Sequence, residues 1–270
     1  MATLSNKSEV VKYCSNWYET HAGKKALEKL DDLCAEVMSE VFGYYAIETG
    51  VLSGKHNLLR FSRIAAGFSV VTESANKEVS EIQNTTSVVS TVEQLPIATD
   101  NIDLVIASHV LETSDEPHQV LREIDRVLVP DGQCILVGFN PFAISRIFPQ
   151  MGKLVSRGFK QKGNNYEIRS ASRVRDWFSL LGFEVIDVHY MGFRPNIKNK
   201  KLFDSFRWLD RVGDYAGPML GNMYMFHVRK QAIAMRTHKK VWSAPAVLSG
   251  GKVVLNNTAQ KIRRENYSNL

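Results

Sequence analysis

Two apolar runs separated by one amphipathic helix constrain this chain more than any other feature. Ile102-Asp103-Leu104-Val105-Ile106-Ala107 is apolar at almost every position, so it reads as a strand covered on both faces rather than on one. Val120, Leu121, Ile124, Val127 and Leu128 then repeat with the period of a helix that buries one face. Ser114 or Asp115 is placed to cap that helix, with Pro117 in its first turn. Pro130-Asp131-Gly132 reads as a turn, and Cys134–Phe139 as the next strand. A strand, a crossover helix and a second strand buried on both faces predict a parallel pair inside an α/β layer.

The same alternation extends both ways. Residues 24–41 carry Leu27, Leu30, Cys34, Val37 and Val41 on one helical stripe, and Gly43 stops it. Tyr44–Glu48, Phe68–Thr72 and Thr86–Ser90 read as strands. A helix follows from a Ser170 cap through Val174, Trp177, Phe178 and Leu181 to Gly182. Phe183–His189 and Met223–Val228 are the last strands, with a helical region around Leu202–Val212 between them. The chain therefore divides into an N-terminal helical segment, 1–42, an α/β domain, 43–230, and a tail, 231–270.

Charge sharpens that division. The net charge of +6 conceals 12 basic against 20 acidic residues in 1–150, and 22 against 8 in 151–270. Residues 229–270 hold nine Lys/Arg and the single acid Glu265, with no sustained apolar period, which predicts a disordered basic tail. Such a tail either keeps the chain in solution or holds an anionic partner such as nucleic acid. A basic connection, about 151–169, has the character of a lid. Three dispersed cysteines, Cys14, Cys34 and Cys134, predict neither a disulfide framework nor a cysteine-rich metal site, and suit a cytoplasmic protein. No segment has the length of an apolar membrane span, and Met1–Val10 lacks the apolar core of a secretory signal. Metal-ligand spacing, a Gly-x-Ser-x-Gly elbow and a phosphate-cradling Gly-Lys-Ser/Thr loop are missing from the sequence.

Ligands of parallel α/β sheets bind outside the carboxyl ends of the strands. The residues at those ends are Glu48–Gly54, Glu73, Thr91–Glu93, Ser108–Glu112 and Phe139–Pro141. Glu48-Thr49-Gly50-Val51-Leu52-Ser53-Gly54 is a glycine-containing turn after a strand, and Glu73 follows Gly50 by 23 residues. That pairing suits a nucleotide whose ribose hydroxyls meet a carboxylate. Beyond them stand Glu93-Gln94-Leu95-Pro96, Asn101-Ile102-Asp103-Leu104-Val105, Ser108-His109-Val110-Leu111-Glu112 and Leu121-Arg122-Glu123-Ile124-Asp125-Arg126-Val127-Leu128-Val129-Pro130-Asp131-Gly132.

In order and spacing this run resembles the class I S-adenosylmethionine-dependent methyltransferases of the type 11 group. Phe139-Asn140-Pro141-Phe142, the Trp177–Phe183 segment and the basic tail are similar to a bacterial subgroup with a degenerate glycine loop. The resemblance implies a Rossmann-like, seven-stranded sheet, mainly parallel with the last strand antiparallel and helices on both faces. It also implies S-adenosyl-L-methionine as cofactor, methyl transfer as the activity and an acceptor, which we take to be a small molecule. By position, Glu48, Gly50 and Gly54 surround the methionine part, Glu73 takes the ribose, Thr91 and Val92 flank the adenine, and Ser108 lies beneath the sulfonium with His109. His109 is the candidate base, or else a packed histidine capping its strand. Asn140 either orients the acceptor or pins the turn before Pro141, and Tyr166, in the basic connection, is a candidate toward the acceptor. Leu52 stands where the family has its central glycine, and Thr91 where it has an aspartate. These departures leave a non-catalytic binding or regulatory descendant as the alternative, with an RNA methyltransferase as a third reading. Arg122, Glu123 and Arg126 are expected on the solvated face of their helix, and Met219, Met223 and Met225 in the core.

Overall fold

The computed structural model describes residues 2–53, 55–71, 86–143, 168–197, 199–216 and 220–232. Seven strands form one sheet: β1 Tyr45–Gly50, β2 Ala66–Val71, β3 Thr86–Val89, β4 Ile102–Ser108, β5 Leu128–Phe139, β6 Phe183–Met191 and β7 Met223–Lys230. Their order across the sheet is β3-β2-β1-β4-β5-β7-β6. Pairings from β3 through β5 are parallel, and β7 runs antiparallel to both β5 and β6. The sheet is thus the expected one, including the last strand inserted against the others.

Strand alternation sorts the side chains into two layers. Leu104 and Ile106 of β4, Ile135, Val137 and Phe139 of β5, and Met223 and Met225 of β7 face one side. There they meet two N-terminal helices, α1 Ala2–Tyr18 and α2 His21–Met38. Val105, Ala107, Cys134, Leu136, Tyr224, Phe226 and Val228 face the other. That side is covered by helices that include α4 Pro117–Val127 and α5 Ala171–Leu180, a short α3 spanning Val110–Thr113. Two further helices, α6 Lys200–Ser205 and α7 Trp208–Ala216, fill the connection from β6 to β7.

Several local expectations need correction. The second helix covers 21–38 rather than 24–41 because Thr20 caps its start, its hydroxyl accepting from Gly23 N at 3.1 Å. Its end is closed early by Ser39, whose hydroxyl donates to Glu36 O. Gly43 lies beyond it, where a Cβ would collide with the Asp103 side chain at 2.3 Å. That close approach lets Asp103 accept from Tyr44 N and Tyr45 N and set the start of β1. The N-cap of α4 is Glu116, not Ser114 or Asp115. Ser114 accepts from Glu116 N and donates to Glu93, tying the strand-end segment to this helix. Pro130-Asp131-Gly132 is not a separate turn but an irregularity inside β5, where the pairing with β4 jumps from Ile102–Leu128 to Leu104–Gln133 and Asp131 takes φ 64°.

Glu123 is the plainest error of sequence reading. It is buried rather than solvated: it accepts from Leu95 N at 2.8 Å and pairs with Arg126 at 2.6 Å. The arginine holds its carboxyl below the ordinary value. Met223 and Met225 are fully buried core residues as expected, while Met219 lies outside the described residues. So do Gly54, Glu73, Tyr166, most of the 151–169 connection and the tail beyond 232. Among the described residues no helix is long and apolar enough to cross a membrane, and no metal-holding cluster occurs.

Candidate functional site

The order of the sheet locates a switch point. After β1 the chain builds outward to β2 and β3, then returns to place β4 on the other side of β1. The crevice of such a sheet opens at the carboxyl ends of the two strands that part there. Gly50 and Ser108 are register partners at those ends.

Gly50 takes φ 100°, a left-handed conformation that favours glycine, and a Cβ there would stand 1.9 Å from Ser108 O. The tight turn lets Val51 N donate to Ser108 O at 2.8 Å. Leu52 N donates to Ser108 Oγ, which in turn donates to Thr49 O. Glu48 is fully buried; its Oε2 accepts from Leu58 N, while Oε1 and the neighbouring Thr49 Oγ1 have no hydrogen-bond partner among the described residues. Burial raises the Glu48 carboxyl to about 8, against the pull of the Leu58 and Leu59 amides. A buried carboxyl with a spare oxygen beside a glycine turn is chemically suited to a cationic amino group.

Next along the crevice is His109, which takes φ 54° at the turn from β4 into α3. Its ring is fully buried, stacked on Phe139 with centroids 4.2 Å apart. The Tyr18 hydroxyl lies 2.6 Å from His109 Nε2, and the Glu112 carboxylate 3.5 Å from Nδ1. Glu112 also accepts from Phe139 N. Burial raises the Tyr18 phenol well above its ordinary value, so its proton stays on oxygen. Trp17 closes the cluster edge-on against Phe139. The last turn of α1 therefore covers the carboxyl ends of β4 and β5.

The other expected site residues divide. Glu48, Gly50, Ser108 and His109 lie together at the carboxyl ends of β1 and β4, with Glu48, Ser108 and His109 fully buried. Thr91 is exposed after β3, bridged to Gln94, and Val92 is buried beside it. Asn140 is buried with its amide donating to Gly221 O and its oxygen accepting from Phe142 N, so it pins the turn after β5. Leu52 does not adopt positive φ and is 4% exposed, within the same apolar cluster as Cys14, Trp17 and Leu58. Sequence reading missed Tyr18, whose one local signal is the adjacent Trp17-Tyr18 pair ending a helix.

Sheet order, switch point and glycine turn together define the class I methyltransferase fold. Residues 64–136 match the family model of the type 11 methyltransferase domain. It is 27% identical over 220 residues to the uncharacterized protein YafS of Escherichia coli K12, covering 81% of this chain and 82% of that one. It is 29% identical over 115 residues to the ubiquinone/menaquinone biosynthesis C-methyltransferase UbiE of Desulfotalea psychrophila, covering 37% of this chain and 46% of that relative. The fold matches a SAM-dependent methyltransferase of Thermotoga maritima with a TM-score of 0.55 at 16% identity, over 83% of this chain and 98% of that one.

Proposed function

We propose that the chain is an S-adenosylmethionine-dependent methyltransferase that binds its donor in the crevice between β1 and β4. The observation that carries this reading is the spare, fully buried Glu48 oxygen beside the left-handed Gly50 turn. Glu48, Gly50 and Ser108 would hold the methionine part and the sulfonium, with Gly54 beside them; Glu73 would take the ribose, and Thr91 and Val92 the adenine. The donor supplies an already activated methyl group, so the protein's task is to align an acceptor with it, a contribution of about 7–11 kcal/mol when the geometry is tight.

Because Glu48, Ser108 and His109 are closed to solvent, entry of a ligand requires a local opening, for which the end of α1 on His109 is the candidate. Withdrawal of Tyr18 frees His109 Nε2 to take the acceptor's proton, while Glu112 beside Nδ1 steadies the resulting imidazolium. Tyr166 and Asn140 are the remaining candidates toward the acceptor, a small molecule in this reading. Three buried free thiols support a cytoplasmic location.

A second reading is favoured by one observation. Val51, Leu52 and Ser53 are all buried, and Ser108 is spent on bracing them, as expected of a descendant that keeps the fold as a binding module. Thermal denaturation with S-adenosylhomocysteine separates the two. Catalytic ancestry with function predicts a saturable rise in Tm that Glu48→Gln diminishes; an unchanged Tm at millimolar ligand selects the binding module.

A further inference from the structure

A cavity of about 600 Å³, which shares no lining residue with the β1–β4 site, lies between the start of α2 and the segment that carries α6. Lys24 and Lys25 stand on one wall, Lys200 and Arg207 on the other, and Arg194 closes it. Two carboxylates, Glu28 and Asp204, share the lining with these five cations. Their offset is incomplete: Lys25 meets Glu28 at 2.7 Å and Arg194 is paired with Asp210, but Lys24 reaches Glu19 only at 3.7 Å and Arg207 reaches Asp204 only at 3.9 Å, and Lys200 has no ion pair among the described residues. Like charges facing each other across a concavity repel unless an anion lies between them.

Arg194 distinguishes this cavity from an ordinary basic surface. It is 7% exposed, its Nε donates to Asp210 at 2.7 Å, and its guanidinium lies 5.1 Å from the centre of the Phe203 ring. The position of the group is fixed before any ligand arrives, which lowers the cost of binding one. We propose that this cavity binds the phosphoryl group of a small phosphorylated molecule. Its volume falls in the range of small-molecule sites, which favours such a ligand over a nucleic-acid strand. Flexible lysines on both walls supply point charges, and the fixed arginine, whose Nε and one Nη engage Asp210, has only its remaining N–H groups to offer. The assignment is independent of methyl transfer.

The probe is inorganic pyrophosphate, titrated calorimetrically into the full chain and into Lys24→Gln/Lys200→Gln. Both side chains are on the surface, and matching circular dichroism and Tm establish that the variant folds. Saturable binding that weakens at least about tenfold in the double variant is expected. Absence of heat at millimolar pyrophosphate, or equal affinity in the two proteins, would overturn the assignment. Vesicles containing phosphatidic acid identify the source of the phosphoryl group. Retention on them, competed by pyrophosphate, indicates a lipid headgroup, and no retention alongside pyrophosphate binding indicates a free metabolite; either supports the site. An RNA oligonucleotide whose binding depends on Lys24 and Lys200 while pyrophosphate neither binds nor competes would refute it.

Discussion

The Tyr18 hydroxyl and His109 Nε2 are 2.6 Å apart, both out of contact with water and 91 residues apart in sequence. This bond joins the N-terminal helices to the turn where the proposed chemistry takes place. Tyr18→Phe leaves a buried ring nitrogen without its partner, so a loss of about 1–3 kcal/mol in urea unfolding is expected. If the end of α1 must leave for the donor to enter, weakening the closed form also raises the competent fraction, and apparent donor affinity increases by up to about tenfold. Affinity that falls with stability would show that α1 forms part of the bound state.

Glu48 makes stability depend on pH. The folded protein holds this proton up to about pH 8, whereas the carboxyl's ordinary value is 4.5. Stability therefore declines as pH rises between those values, by at most about 1.4 kcal/mol per pH unit, and levels off above the folded value. Glu48→Gln keeps an acceptor for Leu58 N and removes the titration. Denaturant midpoints at pH 5.5 and 8.5 should differ less in the variant than in the parent; equal slopes would mean that Glu48 is already ionised.

Gly50→Ala combines an unfavourable φ with a Cβ driven against Ser108 O. A destabilisation of at least about 3 kcal/mol is expected. A variant that melts like the parent would show that the turn can relax, and with it the β1–β4 crevice.

Leu52 belongs to the core in this structure, so Leu52→Ala should cost about 2–5 kcal/mol through the cavity it leaves. Were the side chain instead standing in an open donor hollow, the substitution would leave stability nearly unchanged and tighten binding.

The sheet was legible because its central strands are unusually one-sided in chemistry. Ile102–Ser108 and Cys134–Phe139 are apolar on both faces, and only a buried parallel layer accommodates such runs. The place of β7 between β5 and β6 came from family resemblance, since no periodicity encodes strand order. Glu123 was misread because its helix packs a second edge against the Leu95 segment, whose N–H donates to Glu123, a need with no sequence signature. Leu52, which stands where the family has its central glycine, joins an apolar cluster with Cys14 and Trp17, a packing that depends on contact between distant parts of the chain. At the site, Glu48, Gly50, Ser108 and His109 were readable as strand-end residues. Tyr18 was not, because its role depends on a contact between distant parts of the chain.

Calorimetric titration of the full chain with S-adenosylmethionine, in buffers of different ionisation enthalpy, tests the central claim most directly. The account predicts one saturable site and, near pH 7, release of a proton as the ligand's ammonium draws Glu48 into its ionised form, with Glu48→Gln binding more weakly and releasing none. Absence of heat at millimolar ligand, or binding with no proton release and equal affinity in Glu48→Gln, would contradict it.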